Sequence, residues 1–369
     1  MIIGIPKEIK EQEYRVALQP SGAQQLAKRH TLLIETNAGA GIGFSDEDYR
    51  NAGAEIIDSH EAVFERAELI VKVKEPLPSE VPLLRKGQLL FTYLHLAANR
   101  PLTESLLGGG VTSIAYESVE TNRRLPLLEP MSEIAGRMSI LVGGYYLAKH
   151  QGGSGVLLGG VPGVLPGKVV VIGGGTAGVN AARMAEGLGA DVTILEVDLE
   201  RMRFLDITLG TSTLFSNPSN LAGLLSRTDL LVGAVLVPGA RAPRLVTRAM
   251  LKLMKPGSVF VDIAIDQGGC SETSHPTSHA DPVFTEEGVI HYCVANMPGA
   301  YARTASQALT NATFPYLEAL ADFGFEEATR RNKALALGVT TWNGQLTNRE
   351  VANAHAMPFV EFPPQFNQK

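Results

Sequence analysis

The 369-residue sequence is poor in cysteine and lacks long hydrophobic runs and blocks of like charge. Its two cysteines, Cys270 and Cys293, are too few for a disulfide framework and lack the spacing of a zinc site. The most apolar stretches, such as 230–237, fall far short of the roughly 20 residues that cross a bilayer. The amino terminus has no basic region followed by an apolar core, which predicts mature structure and no signal peptide. We therefore expect a cytoplasmic protein without a membrane segment or a metal site.

The charge balance argues against nucleic acid as a partner. The formal net charge is −6, whereas proteins that bind nucleic acid normally carry a basic face. Hydrophobic residues make up 45% of the chain and charged residues 19%, as in globular proteins with sizeable cores. The chain is longer than one core usually organises, so two domains are expected.

Short apolar segments alternate with helical patterns, which predicts βαβ units and an α/β fold with mostly parallel sheets. A helix predicted from Pro130 to about Ala148 connects a first series of units to a second. After Pro298, a helix predicted over 302–323 returns the chain to the first domain. We therefore predict two α/β domains, a discontinuous one spanning 1–128 plus 305–369 and a second one spanning 129–304, with 129–150 as the connecting helix.

The strongest motif is a glycine-rich turn after the predicted strand 168–172. Gly173, Gly175 and Gly178 form the pattern G-x-G-x-x-G between this strand and a helical pattern. The first glycine permits a tight turn, and the second lets the backbone approach a pyrophosphate. The third lets the helix pack closely on the strand. The turn predicts a dinucleotide site, so we expect 129–304 to be a Rossmann NAD-binding domain and the discontinuous domain to be a Rossmann-like catalytic domain.

The residues around the next strand bear on which nucleotide binds. Glu196 ends that strand, eighteen positions after Gly178. A carboxylate there can accept hydrogen bonds from the adenosine ribose and repel a 2′-phosphate, which favours NAD over NADP. Arg201 lies close by and could instead tolerate a phosphate, so this preference stays open. Two further strands end in loops rich in small residues, 236–240 and 265–269, where a dinucleotide would lie.

Two basic residues are candidates for substrate binding. Arg15 lies in the loop after the first strand, and its planar guanidinium matches a carboxylate. Lys74 ends the segment 69–74, an expected strand that would open on a cleft between the domains, where it could bond a carbonyl oxygen. Lys72 lies two positions earlier, so its side chain would point to the same face of the strand. The spacing therefore does not choose between the two lysines.

One histidine and one aspartate are candidates for proton transfer. His95 follows the apolar run 89–94, and an imidazole at a strand end can act as a general acid or base near neutral pH. Asp266 lies just beyond a Rossmann-type strand, where the nicotinamide ring is expected. It could order water or ammonia, or it could cap the loop through an Asx turn. Asp262 is an alternative candidate, because it lies four positions earlier and would point to the same face of the strand.

Several long strings in one order resemble the alanine dehydrogenase family, which is similar to the first domain of proton-translocating nicotinamide nucleotide transhydrogenases. The strings are GIPKEIK at 4–10, VKVKEP at 71–76, FTYLHLA at 91–97, PMSE at 130–133, GGVPGV at 159–164, the glycine motif, GAVLVPG at 233–239, the segment 262–270 and NMPGA at 296–300. The resemblance runs almost end to end. It implies an NAD-dependent, reversible conversion of L-alanine to pyruvate and ammonia by a homohexamer.

The resemblance also implies roles for these residues. Arg15 and Lys74 would hold the pyruvate carboxylate and carbonyl, His95 would be the acid and base, and Asp266 would assist at the carbinolamine and imine steps. Asn296 would contact both substrate and cofactor. The remaining implied cofactor contacts are Ser132, Gly173, Gly175, Thr176, Ala177, Gly178, Glu196, Arg201, Ser216, Val235, Leu236, Ile263, Ala264, Ile265, Asp266, Val294, Ala295 and Met297.

Three positions depart from the family pattern. The ribose-binding acid is commonly aspartate but is Glu196 here, Arg201 replaces a common lysine, and Tyr301 stands where a small apolar residue is typical. None of them removes a proposed catalytic group. Two other functions compete with the alanine reaction. One is a transhydrogenase-like domain that binds NAD(H), and the other is a catalytically silent NAD-binding protein.

Overall fold

The computed structural model describes residues 1–235 and 242–362, which form two compact units. Unit 1 contains residues 1–131 and the described residues from 301 onward, and unit 2 contains residues 132–300. Each unit is built around a sheet whose strands are mostly parallel. The predicted α/β fold is confirmed.

The strands and helices are numbered along the chain. The strands are β1 (Ile2–Ile5), β2 (Thr31–Glu35), β3 (Glu55–Ile57), β4 (Leu69–Val71), β5 (Leu89–Thr92), β6 (Thr112–Ala115), β7 (Lys168–Ile172), β8 (Asp191–Glu196), β9 (Ser212–Phe215), β10 (Leu230–Gly233), β11 (Val259–Asp262), β12 (Val283–Glu286), β13 (Val289–Tyr292), β14 (Val339–Trp342) and β15 (Gln345–Leu346). The helices are α1 (Pro20–Leu26), α2 (Asp46–Asn51), α3 (His60–Arg66), α4 (Arg100–Gly108), α5 (Glu129–Tyr146), α6 (Thr176–Gly187), α7 (Leu199–Thr208), α8 (Pro218–Leu225), α9 (Arg248–Leu251), α10 (Ala302–Arg331), α11 (Lys333–Gly338) and α12 (Arg349–His355).

The sheet of unit 1 has the order β15-β14-β6-β5-β4-β1-β2-β3. The strands from β3 to β6 pair in parallel, whereas β14 joins β6 antiparallel and then pairs with β15. The strand order reverses at β1, whose neighbours are β2 and β4. In an open parallel sheet of this kind, ligands bind beyond the carboxyl ends of the strands at the reversal.

The sheet of unit 2 has the order β12-β13-β11-β10-β7-β8-β9 and reverses at β7. Strand β12 pairs antiparallel with β13, and the other neighbours are parallel. Alternate residues of β7 enter different apolar clusters, with Val169 and Val171 in one and Val170 and Ile172 in the other. Both faces of this strand are therefore buried, which explains why its sequence is a continuous apolar run.

Several predicted elements have different ends in the structure. The expected strand 69–74 ends at Val71, and the apolar run 89–94 is a strand only to Thr92. The candidate residues Lys74 and His95 therefore lie on connections that follow strands. The helix predicted over 302–323 continues to Arg331, but Gly324 interrupts it with a φ of 73°. The hairpins β12–β13 and β14–β15 were not predicted.

Within residues 1–235 and 242–362, we find no helix that is both long and apolar enough to cross a membrane.

Candidate functional site

The candidate substrate residues of unit 1 lie beyond the carboxyl ends of neighbouring strands. Arg15 follows β1, Lys74 follows β4 and His95 follows β5. Strands β1, β4 and β5 are adjacent and parallel, so their carboxyl ends share one sheet edge. This edge contains the reversal of strand order at β1, where such folds place their ligands.

The two lysines after β4 have different environments. Lys72 is fully buried, and its Nζ lies 2.7 Å from Glu80 Oε1 and 3.1 Å from Glu8 Oε2. Burial lowers the pKa of Lys72, but the two carboxylates outweigh burial and raise the pKa above its ordinary value. Lys72 is thus the cation of a buried ion-pair cluster. This role leaves Lys74 as the stronger candidate for contact with a substrate.

The backbone at Lys74 is held by the same cluster. Glu8 Oε1 accepts hydrogen bonds from the amides of Val73, at 2.6 Å, and Lys74, at 3.3 Å. The carboxylate of Glu8 therefore joins the connection after β1, where the strand order reverses, to the connection after its neighbour β4. Sequence reasoning missed Glu8 as a site residue, although it lies within the string GIPKEIK.

Glu75 is a second carboxylate that the sequence reasoning missed. Its Oε1 accepts a hydrogen bond from Lys10 Nζ at 2.6 Å, and its Oε2 is buried with no hydrogen-bond partner among the described residues. Burial raises the pKa of Glu75, but the Lys74 and Lys10 ammonium groups lower it below its ordinary value. The available signal was its position directly after Lys74 in the string VKVKEP.

Arg15 is buried, and its guanidinium is oriented by a carboxylate of its own loop. Its Nε and Nη2 donate to the two oxygens of Glu13, each at 2.6 Å, and its Nη1 lies 3.1 Å from Met131 Sδ. Burial lowers the pKa of Arg15, but the bonds to Glu13 outweigh burial and raise it. Glu13 therefore takes the Nε–Nη2 edge of the guanidinium and fixes its plane.

His95 lies on a left-handed stretch of backbone, with φ of 50° and ψ of 36°. Its ring is half-buried and stacks on Tyr93, with centroids 6.0 Å apart and an interplanar angle of 11°. The Tyr93 hydroxyl donates to the Leu127 carbonyl. The imidazole therefore has one aromatic neighbour that is itself fixed in place.

The glycine turn of unit 2 connects β7 to α6. Gly173 has a φ of 98°, a conformation that favours glycine. A Cβ on Gly178 would lie 1.8 Å from the Gly173 carbonyl oxygen, so only glycine lets α6 start this close to β7. A Cβ on Gly175 would meet nothing within 4 Å, which leaves open space beside the turn. Thr176, Ala177 and Gly178 form the first turn of α6, whose amides face the amino end of the helix.

Glu196 and Arg201, which are predicted to lie near the adenosine, are close to this turn. Glu196 Oε2 accepts a hydrogen bond from the Gly174 amide at 2.7 Å, and its Oε1 accepts bonds from the Val197 and Asp198 amides at 2.6 and 3.0 Å. Arg201 Nε donates to the Gly174 carbonyl at 2.6 Å. Both side chains thus converge on the glycine turn. The Ser216 amide donates to the Glu196 carbonyl, and Ser132 lies half-buried in α5.

The two candidate aspartates after β11 also differ. Asp262 is buried and accepts hydrogen bonds from the Ala264 and Cys270 amides and the Ser274 hydroxyl, at 3.0, 2.8 and 2.6 Å. Burial raises the pKa of Asp262 above its ordinary value. Asp262 therefore organises the turn that contains Asp266, whose own side chain is exposed.

The other predicted cofactor contacts lie on the ends of β10, β11 and β13. Asp266 Oδ1 accepts a hydrogen bond from the Asn296 amide at 3.2 Å, which joins the turn after β11 to the connection after β13. Ile263, Ala264 and Ile265 belong to the same short helical turn as Asp266, Val235 follows β10, and Val294, Ala295 and Met297 follow β13. Leu236 lies outside the described residues.

Comparison with known proteins identifies the family of the chain. The family model described as "Alanine dehydrogenase/PNT, N-terminal domain" matches residues 4–135. The model described as "Alanine dehydrogenase/PNT, C-terminal domain" matches residues 139–349. The chain belongs to the alanine dehydrogenase/PNT family. The resemblance seen in the sequence is confirmed, and family membership implies a nicotinamide cofactor.

Members of the alanine dehydrogenase/PNT family resemble this chain over nearly its full length. An alanine dehydrogenase of Mycolicibacterium smegmatis is 52% identical over 365 residues, which are 98% of each chain. A solved structure of an L-alanine dehydrogenase, also 52% identical, superposes with a TM-score of 0.92 over 96% of this chain and 99% of the other. A transhydrogenase structure from Sinorhizobium meliloti is 25% identical and has a TM-score of 0.79 over 95% of this chain and 99% of the other.

Proposed function

We propose that the chain is an NAD-dependent L-alanine dehydrogenase that converts L-alanine and water reversibly to pyruvate and ammonia. The observation that carries the proposal is the placement of Arg15, Lys74 and His95 at one edge of the unit 1 sheet, in a chain that aligns along nearly its whole length with an alanine dehydrogenase. A guanidinium, an ammonium and an imidazole suit the carboxylate, the carbonyl oxygen and the proton transfer of a 2-oxo acid substrate, respectively.

The cofactor fits the glycine turn of unit 2. The open space beside Gly175 can admit a pyrophosphate, and the first amides of α6 supply donors and the positive end of a helix dipole. Glu196 places a negative charge at the end of β8, which favours a ribose with a free 2′-hydroxyl and therefore NAD over NADP. When bound, NAD supplies the chemistry of accepting a hydride from the substrate Cα.

The residues of unit 1 bind the substrate and handle its protons. Arg15 binds the carboxylate through its guanidinium, and Lys74 stabilises negative charge on the oxygen that becomes the pyruvate carbonyl. His95 takes the proton from that oxygen as the carbinolamine collapses and returns it in the reverse direction. We expect the enzyme to act as a cytoplasmic homohexamer.

An absorbance assay at 340 nm tests the proposal. We expect the purified chain to consume NADH only when pyruvate and ammonium are both present, and to reduce NAD with L-alanine. We expect NADPH to be used far less efficiently. Consumption without ammonium would instead indicate a hydroxy-acid enzyme, and transfer from NADH to an oxidised nucleotide analogue without pyruvate would indicate transhydrogenation.

Substitution of His95 tests the proton-transfer role. The variant His95→Ala is expected to lower kcat by roughly 100-fold or more. The matched control is His150→Ala, which removes an exposed imidazole from unit 2 and is expected to leave kcat unchanged. Turnover of His95→Ala close to that of the unmodified enzyme would remove His95 from the mechanism.

A further inference from the structure

The backbone of His95 adopts a conformation that a histidine does not favour. Its φ of 50° and ψ of 36° place it in the left-handed region, where the Cβ crowds the carbonyl oxygen. Such a residue keeps this conformation only when surrounding contacts hold it there. The segment follows β5 directly, so the direction of the imidazole depends on how this turn is fixed.

The turn at His95 is fixed by one carboxylate from the neighbouring strand connection. Glu117 Oε1 accepts a hydrogen bond from the His95 amide at 2.6 Å and from the Leu94 amide at 3.1 Å, and Oε2 lies 3.2 Å from the Leu94 amide. Strands β5 and β6 run parallel, with Thr92 opposite Ala115, so Glu117 follows β6 at the level where His95 follows β5. An ionised acceptor makes stronger bonds to amides than a neutral one.

We propose that Glu117 is a positioning residue that holds the His95 imidazole in its catalytic orientation through the His95 backbone. Glu117 binds the amides of two successive residues, Leu94 and His95, and so fixes the peptide between them. The stacked Tyr93 ring limits the imidazole from one side. Together these contacts limit where the imidazole lies without involving its ring nitrogens.

The same arrangement recurs at two other candidate residues. The Glu8 carboxylate binds the amides of Val73 and Lys74, and Glu13 Oε1 accepts a bond from the Arg15 amide at 3.1 Å. The three candidate residues Arg15, Lys74 and His95 are therefore each held at the backbone nitrogen by a carboxylate. Glu117 is the clearest case, because the backbone that it binds, at His95, is in the left-handed conformation.

Because the role acts through His95, a double-mutant cycle tests it. We expect Glu117→Ala to lower kcat at least ~10-fold, since small displacements of a catalytic group reduce turnover strongly. In a His95→Ala background the same substitution should lower kcat less than about twofold, because the two residues act as one unit. Glu117→Gln keeps one acceptor oxygen for the His95 amide and should recover part of the lost turnover. The KM for NADH should stay unchanged throughout.

Glu120→Ala is the matched control, since it removes an exposed carboxylate from the same segment and should leave kcat unaltered. A Glu117→Ala enzyme with nearly normal kcat, or equal losses in both backgrounds, would overturn the proposal. The positioning role rests on the proposed function, so it is also tested by a measurement that does not depend on enzyme activity. A crystal structure of Glu117→Ala should show His95 leaving the left-handed region. If His95 keeps its conformation there, the positioning role is wrong, whatever reaction the enzyme catalyses.

Discussion

At the scale of single residues, the partners of a side chain separate candidates that the sequence leaves equivalent. Lys72 and Lys74 follow the same strand and are two positions apart, so the periodicity of a strand gives no reason to prefer one of them. The structure gives Lys72 two buried carboxylates, Glu8 and Glu80, as partners. Glu8 lies 64 positions away in the sequence, and Glu80, eight positions on, lies beyond the strand, so the periodicity of the strand indicates neither partner. The same holds for Asp262 and Asp266, which differ in burial.

The two lysines should therefore respond differently to substitution. Lys72→Met leaves Glu8 and Glu80 buried without the ammonium that lies between them, and it should lower the free energy of unfolding by about 3–5 kcal/mol. Lys74→Met should instead lower kcat/KM for pyruvate at least ~100-fold, because the charge that stabilises the carbonyl oxygen is lost. Urea denaturation and steady-state kinetics on both variants check this. Unchanged stability of Lys72→Met would contradict the assignment of Lys72 to the ion-pair cluster.

At the scale of elements, the glycine turn was predictable in detail. Its spacing, the apolar strand before it and the helical pattern after it all lie within a short stretch, and the structure places β7, the turn and α6 as expected. Strand ends were less predictable. Apolar residues continue past the last ladder hydrogen bonds after β4 and β5, since buried connections are apolar too. The antiparallel hairpins were missed because they interrupt the βαβ alternation.

The glycines of the turn should separate folding from nucleotide binding. Gly175→Ala meets open space, so it should leave stability unchanged but raise the dissociation constant of NADH at least ~10-fold, about 1.4 kcal/mol. Gly178→Ala forces a Cβ against the Gly173 carbonyl oxygen and should also destabilise unit 2 by about 1–3 kcal/mol. Urea denaturation and fluorescence titration with NADH measure the two effects.

The control for both variants is Gly187→Ala, at the end of the same helix. A Cβ there also meets nothing within 4 Å, but the position lies far from the turn along α6. This variant should bind NADH normally and gain up to about 1 kcal/mol of stability, since alanine is the better helix former. Equal NADH affinity in Gly175→Ala and Gly187→Ala would contradict a pyrophosphate site at the turn.

A chain of charged side chains makes unit 1 sensitive to pH. His60 Nδ1 lies 2.6 Å from Glu35 Oε2, and its Nε2 lies 3.3 Å from Glu80 Oε1, which also pairs with Lys72. The contacts with Glu35 and Glu80 raise the pKa of His60 from 6.5 to about 9. The charged imidazole thus connects the end of β2 to the ion-pair cluster after β4.

Because the pKa is higher in the folded state, charged His60 stabilises the fold fully below about pH 6.5. This contribution should decline as the pH rises and be lost above about pH 9. Thermal melts between these limits should show a falling midpoint for the unmodified protein and a flatter profile for His60→Gln. Parallel profiles would show that His60 does not carry this dependence.

At the scale of the whole molecule, the α/β class was predictable because it follows from the alternation of short apolar runs and helical patterns along the entire chain. Both sheets share one strand order around their first strand, β3-β2-β1-β4-β5-β6 in unit 1 and β9-β8-β7-β10-β11-β13 in unit 2. The sequence contains no obvious repeat to reveal this similarity, since only backbone topology is shared. Side-chain partners such as Glu8 and Glu117 required coordinates.

Nucleotide binding should stabilise the protein measurably. A ligand that binds only the folded state at 100 times its dissociation constant adds about 2.7 kcal/mol. We expect NADH at this excess to raise the thermal unfolding midpoint, and Gly175→Ala to need a higher NADH concentration for the same rise. Pyruvate without nucleotide is the comparison, since its proposed contacts lie in unit 1. An unfolding midpoint unaffected by NADH would contradict a nucleotide site on the native fold.

The insertion of unit 2 into unit 1 has a consequence for synthesis on the ribosome. The Ser113 hydroxyl on β6 bonds to that of Thr340 on β14, 227 residues later in the chain. At roughly 5–20 residues per second, β6 would wait about 10–45 s for this neighbour to emerge. Throughout that interval the nascent chain exposes an unpaired β-edge that invites aggregation. Slower elongation across the second half of the message should lengthen this exposure and increase dependence on chaperones.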